Sequence, residues 1–336
     1  MAILTEPNQA SKGKREDLAD LISLVDAKAT PVLTMAKKGK ELGNSLFRWQ
    51  ADAYAAVEAA TAGTVDGSDE GASDYEDPAA ARAEISTYGK LFRRSTRVST
   101  LAQQLSNIAG VKSELARGLS KKMIELKRDM ETSICAIQDG QVDAGSSTPY
   151  LMKGLGTWID TTGGSVPAIP AAFRTPTGNI EVTATTANIT EATIQNVLKS
   201  IFDQSGDIKT FDMPLGSTLK RGITGLTDSI LDSTVGVTSA PSIRTFNQDI
   251  ANKKFTSRID VFEGDFGTIR LHPSSFMPAL FDGYVLPMDK LEIRYGVLPY
   301  VKVLPDNGGG PARMVEAFAG LVVHNPLVFG KFDLGS

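Results

Sequence analysis

Residues 113–140 constrain the fold more than any other stretch, because their apolar side chains keep a helical period. Leu115, Leu119, Met123, Leu126, Met130, Ile134 and Ile137 step by four, four, three, four, four and three, which places them on one face of a helix. The intervening Lys121, Lys122, Glu125, Lys127, Arg128, Asp129 and Glu131 read as a solvated face, supported by the pairs Glu114 with Arg117 and Lys127 with Glu131. Ser113 as N-cap and Gly140 as a left-handed closing residue predict a spine helix over 113–139. At about 1.5 Å per residue it would be roughly 40 Å long, more than twice the usual helix of about 11 to 12 residues. A rod of that length is a beam on which the rest of the chain must be arranged.

The beam sits in a chain of 336 residues, 41% of them hydrophobic, enough for one large or two ordinary domains with a real core. The formal charge of −4 speaks against a dedicated nucleic-acid binder, whose phosphate contacts demand a basic excess. A single cysteine excludes a disulfide framework within the chain, and Cys135 falls beside the apolar stripe, where a buried inert thiol is expected. The opening residues lack the apolar core of a signal peptide, and no later stretch has the length and apolarity of a membrane span. These features predict a protein made in a reducing cytoplasm, or a component of a particle assembled there.

Residues 1 to about 15 are polar and end in the basic cluster Lys12, Lys14 and Arg15, the composition of an arm. Asp17 to Ala27 carries Leu18, Leu21, Ile22 and Val25 at helical spacing, and the segment stops before Thr30-Pro31. Lys37, Lys38 and Lys40 follow in a basic turn, read as a solubility feature.

From Leu46 the pattern is that of extended chain, resumed from Ala81 to Ser99 after a gap. The gap carries Asp66, Asp69, Glu70, Asp74, Glu76 and Asp77 without a basic residue, among glycines and serines. Two strands and an acidic tip predict a long β-ribbon over 46–99. A two-stranded ribbon is marginal in water, so it must lie on something. Its returning strand holds Arg82, Lys90, Arg93, Arg94 and Arg97. We expect these eleven charged residues to make subunit contacts that set register more than strength, since exposed ion pairs contribute only about 0 to 1 kcal/mol each. Calcium binding is the competing reading of the carboxylates, but the stretch lacks the ligand order and closing glutamate of the twelve-residue calcium loop.

Residues 141–187 are rich in Gly, Ser, Thr and Pro and read as a long, weakly regular connection. Thr190 to Gly206 is a capped amphipathic helix, with Ile194, Val197, Leu198, Ile201 and Phe202 on one face. A strand around Thr210 to Met213, a helix from Leu215 to Thr224, and strands at Ser257 to Phe262 and Thr268 to His272 complete an α/β subdomain of about a hundred residues. Three antiparallel strands then close the chain: 291–295, 298–305 and 312–326, the last two joined by Asp306 to Gly310.

Catalytic chemistry is thinly supplied. Two histidines, His272 and His324, stand near strand ends and suit structural roles better than a metal site. Gly154 to Trp158 is a fragment of a glycine pattern without the strand-to-helix setting of a phosphate loop. Ser217 and Lys220 match the serine-to-lysine spacing of penicillin-recognising enzymes, but the companion SDN and KTG elements are missing. No G-x-S-x-G elbow occurs. The chain therefore reads as one that binds rather than catalyses, with no cofactor and no metal.

The order of parts (arm, ribbon, spine helix, α/β lobe, closing strands) resembles the major capsid proteins of tailed bacteriophages, of the Hong Kong-97-type fold shared with encapsulins. Glu16 to Asp52 is similar to the opening of a phage capsid family: Asp17-Leu18, Asp20 and Ile22, then Thr30-Pro31, Gly39-Lys40 and Trp49-Gln50. Further marks are Arg258 to Phe276 with the turn Asp265-Phe266-Gly267, and a closing segment with Glu316, Asn325-Pro326 and Gly330. The chain departs from the family at Phe47-Arg48, where a glutamate commonly precedes the tryptophan, and in the length of the connection at 141–187.

The resemblance implies an α+β fold with an N-terminal arm over 1–45, an extended loop over 46–99, a peripheral domain from 100–187 with 291–336, and an axial domain over 188–290. It implies a structural protein that assembles through pentamers and hexamers into an icosahedral shell. The shell would enclose double-stranded phage DNA without reading its sequence. Scaffolding, portal and decoration proteins would be separate partners, no membrane would be involved, and the protein would reside in the virion after assembly in the host cytoplasm. Two other readings compete: an encapsulin-like compartment enclosing cargo enzymes, and a hydrolase built on Ser217 and Lys220.

Overall fold

The computed structural model describes residues 29–41, 43–54, 57, 60, 63–69, 71, 75, 77, 79–105, 113–145, 147–183, 189–229, 245–247, 254–256, 259–279 and 282–334. The expected arm and its helix over 17–27 lie outside the described residues except for the stretch from 29 onward. In chain order the elements are α1 (Pro31–Met35), β1 (Lys37–Lys38), β2 (Leu46–Ala51), β3 (Ala83–Tyr88), β4 (Lys90–Arg97), α2 (Thr100–Leu105), α3 (Glu114–Cys135) and α4 (Leu155–Trp158). There follow β5 (Ile180–Thr183), α5 (Glu191–Ser205), β6 (Lys209–Leu215), α6 (Ser217–Ser229), β7 (Thr245–Asn247), β8 (Lys254–Thr256), β9 (Val261–Gly264) and β10 (Gly267–Pro273). The chain closes with β11 (Gly283–Val285), β12 (Leu291–Leu304), β13 (Ala312–Val323) and β14 (Gly330–Leu334).

The spine α3 forms where the period places it, with the Ser113 hydroxyl accepting the Ala116 amide as N-cap. It ends at Cys135 rather than at residue 139. Ala136 is already extended, and the carbonyls of Ala136 and Gln138 are taken by the amides of Gly156 and Gly154 in the connection. Gly140 therefore does not close the helix; a side chain there would strike the carbonyl of Val166. Burial is concentrated in the second half of the helix. Leu126, Met130 and Ile134 are buried while Met123 and Ile137 are exposed. Each buried side chain of this kind contributes about 1.5 to 3 kcal/mol.

α3 lies on β4 and β13 of a four-stranded sheet ordered β1-β12-β13-β4. β12 is one strand of 14 residues where two were expected. Register shifts at Tyr295/Val297 and Val297/Tyr300 carry it past Gly296 and Pro299, residues that read as breaks in the sequence. A second sheet has six strands ordered β5-β14-β11-β6-β10-β9. α5 packs beside it, capped by Thr190 and closed by Gly206 in the left-handed region at φ 68°. This sheet takes β5 and β14 from the stretches 100–187 and 291–336, so the border expected at 187/188 and 290/291 runs through a sheet instead of between two.

The connection at 141–187 is irregular but firmly packed. Met152, Leu155, Trp158, Ile159 and Phe173 are buried in it. The fully buried Lys153 ammonium donates to the carbonyls of Gly163 (2.5 Å) and Pro167 (2.7 Å), stands 3.5 Å from Asp139, and lies 5.3 Å from the Trp158 ring centroid.

Candidate assembly surface

The ribbon is shorter than 46–99. β2 and β3 pair antiparallel, Leu46 opposite Tyr88 through Ala51 opposite Ala83. The chain then passes Gly89 and joins the main sheet as β4, paired with β13 from Lys90 opposite Ala319 to Arg97 opposite Ala312. The physical reason is apolar burial: Phe92 is covered beneath α3, and a free ribbon would leave it in water.

That change redistributes the predicted charges. Asp66, Asp69 and Asp77 stand exposed in the excursion between β2 and β3, with Asp66-Gly67 in a turn and Asp77 accepting the Ala79 amide at 2.9 Å. Glu70, Asp74 and Glu76 lie outside the described residues. Arg82 closes the neck of the excursion on Asp52 at 3.2 Å. The cations of β4 engage their own chain. Arg93 pairs with Glu316 at 2.7 Å, and Arg94 grips Asp129 of α3 through two bonds of 2.6 Å. Arg97 donates to the Gly310 carbonyl at 3.3 Å, and Lys90 to the Ser133 hydroxyl at 2.8 Å. The bond from Asp129, then its charge, raises the Arg94 pKa, whereas burial lowers that of Lys90.

Between β4 and α3 runs an open groove of about 400 Å³, lined by Lys90, Arg93 and Arg94 on the strand and by Asp129, Thr132 and Ser133 on the helix. Beyond β13 the outer half of β12 offers an apolar margin of Val297, Leu298, Val301 and Val303, with Leu298 and Val303 61% and 65% exposed. β1 covers β12 only opposite Glu292 and Ile293; among the described residues no strand pairs with the outer edge of 297–304. The excursion shows the matching character. Tyr54 and Val57 are fully exposed in the same excursion as the carboxylates.

The other sequence candidates are placed in packing roles. Lys220 of α6 is directed at the Ile259 carbonyl and at Asp260, one helical turn beyond Ser217. His272 pairs with Asp212 at 2.8 Å, and His324 with Glu292 at 3.2 Å. Among the described residues no group of three His, Cys, Asp or Glu side chains is arranged to hold a metal ion, and no described helix is long and apolar enough to cross a membrane. Reading the sequence missed the apolar margin of β12, although the alternation around Val297, Val301 and Val303 was a signal for it.

Comparison with known proteins gives a consistent picture. No curated protein sequence matches the chain. Among solved structures, a chain of the cyanophage A-1(L) capsid asymmetric unit superposes with a TM-score of 0.64 at 14% identity, covering 98% of this chain and 99% of that one. A chain from Mycobacterium phage Adephagia gives 0.61 at 11% identity over 100% and 99%. The holo-SrpI encapsulin complex of Synechococcus elongatus PCC 7942 gives 0.54 at 10% identity over 99% and 96%. At these identities the likeness establishes the fold, the Hong Kong-97-type capsid fold. The family model for the SU10 major capsid protein matches residues 5–334. The chain thus belongs to the SU10 major capsid protein family, structural proteins of the virion's shell.

Proposed function

We propose that the chain assembles with copies of itself, through hexamers and pentamers, into an icosahedral shell that encloses double-stranded DNA without reading its sequence. Its role is structural and not enzymatic. The observation that carries the reading is the excursion between β2 and β3. It holds Tyr54 and Val57 in full contact with water and carries the exposed Asp66, Asp69 and Asp77 farther along, side chains that a single copy leaves uncovered. A second copy offers what it lacks, an apolar margin on β12 next to the cations Lys302 and Arg313. A contact between two different patches of one chain is heterologous, and such contacts close into rings when the rotation between neighbours closes.

In this reading the peripheral domain is the four-stranded sheet with α3. The axial domain is the six-stranded sheet with α5 and α6. The segment 1–45 serves as an arm along a neighbour, and scaffolding, portal and decoration proteins are separate chains. Electron microscopy and sedimentation of the purified protein test the assembly: rings of five or six, or closed shells, are expected, and a monomer at every accessible concentration would sink the reading. The likeness to an encapsulin keeps a second reading in view, a compartment for cargo enzymes. Nuclease-protected DNA inside purified particles supports the first; cargo protein without DNA replaces it with the second.

A further inference from the structure

The root of the ribbon is gripped by an unusual combination of side chains. On the inward face of β2 and β3, Phe47 and Trp49 stand opposite Thr87 and Ile85, the last two fully buried. The Arg294 guanidinium of β12 lies 4.3 Å from the Phe47 ring centroid, within cation–π range. The same guanidinium is braced by Glu292 at 2.9 Å, and the second carboxylate oxygen of Glu292 meets His324 at 3.2 Å. His324 in turn faces the Trp49 ring edge-on at 6.2 Å, and Trp49 lies 5.9 Å from Trp158. The buried indole N–H groups of Trp49 and Trp158 find no acceptor. The ring contacts therefore bring no polar bond of their own, and the directional hold on the ribbon rests with the guanidinium.

We propose that Arg294, braced by Glu292 and seated on the Phe47 ring, is a latch that sets the posture of the ribbon in the unassembled subunit. The ribbon then presents its excursion at a fixed angle before any neighbour touches it. Gly39 is part of the device. A methyl group there would come within 2.5 to 2.7 Å of the Glu292 carboxylate and the Arg294 side chain, so only a glycine leaves the pair its place. Arg294 acts through Phe47 and is a positioning residue.

The inference rests on the shell reading only for its purpose, and hydrogen exchange on the dilute, unassembled subunit tests it separately. In Arg294→Ala the amides of β2 and β3 are expected to exchange about tenfold faster while those of 126–135 in α3 keep their rates. Arg294→Lys keeps the charge but lacks the planar face, and should fall between. Gly39→Ala, which retains both partners and displaces them, should reproduce the Arg294→Ala pattern. Wild-type rates in the ribbon of either alanine variant overturn the latch, and so does an equal acceleration in α3, which would mark a general loosening of the body. Because no assembly is measured, failure here leaves the shell reading standing, and failure to form shells leaves the latch standing.

Discussion

Glu131, inside the spine helix, accepts the backbone N–H of Val32 at 2.9 Å, and its other oxygen accepts that of Leu33 at 2.8 Å. One fully buried carboxylate thus satisfies two of the orphan donors at the start of α1 and fastens the segment leading into the ribbon to the beam. Burial is the main influence on its proton affinity and raises its pKa above the ordinary 4.5, although the two amide bonds pull the other way.

Glu131→Ala should therefore cost about 2 to 4 kcal/mol, since it leaves two buried donors unpaired. Glu131→Gln keeps one acceptor and should cost less. The pH dependence follows from the raised pKa: the folded state holds the proton more tightly than the unfolded state. The stabilising contribution of this group is complete below about 4.5 and fades as pH rises through its raised value. Denaturant unfolding across that window should show the decline in the wild type and its absence in Glu131→Gln.

Lys153 and Asp139 make an asymmetric pair. Burial works against the Asp139 charge, but the Ser165 amide and hydroxyl, the Val166 amide and the Lys153 ammonium outweigh it and hold the pKa below 3.8. Its contribution is present above 3.8 and is lost as pH falls through the depressed value. Asp139→Ala strands a buried ammonium and should cost about 3 to 5 kcal/mol. Lys153→Met removes the charge itself and should cost about 1 to 2 kcal/mol, the loss of donors to two carbonyls. Unfolding free energies in the reverse order would refute this account.

These two sites show what could be read in the sequence and what could not. The stripe from Leu115 to Ile134 is a local periodicity, and the Ser113 and Thr190 caps lie within three residues of their partners, so α3 and α5 were legible. Glu131 ends the charged run of Lys127, Arg128 and Asp129 and read as solvated, because the amides that it binds come from a segment 99 positions away. The end of α3 at Cys135, the join of β4 to β13 and the burial of Lys153 likewise depend on distant partners. Of the candidate assembly surface, the acidic excursion was legible as composition. The capture of Arg93 by Glu316 and of Arg94 by Asp129 was not, since it follows from the pairing of β4 with β13 and its packing under α3.

Tyr284 of β11 ties the six-stranded sheet to the spine: its buried hydroxyl donates to the Cys135 carbonyl, the last of α3, at 3.0 Å. Burial, with Asp282 next, pushes its pKa well above 10, so it remains a neutral donor through the physiological range. Tyr284→Phe should lower stability by about 1 to 1.5 kcal/mol without changing the fold. Unchanged urea unfolding would show that this bond is not what ties the spine to the six-stranded sheet.

If the excursion makes the subunit contact proposed above, its charges should make assembly a matter of ionic strength. Asp66, Asp69 and Asp77 are exposed, so their reach is set by screening, about 10 Å at 0.1 M salt and about 3 Å at 1 M. Changing all three to Asn should leave the circular dichroism of the subunit unaltered while slowing shell formation severalfold at 0.1 M. At 1 M the wild type should have slowed to nearly the rate of the variant, whose own rate should depend less on salt because only Glu70, Asp74 and Glu76 remain of the six carboxylates. Light scattering across a salt series separates this steering role from adhesion. If Tyr54, Val57 and the β12 margin supply most of the contact energy, shells once formed should resist salt that prevents them from forming. Dissolution of finished wild-type shells at 1 M would place the strength of the contact, and not only its registration, in the carboxylates.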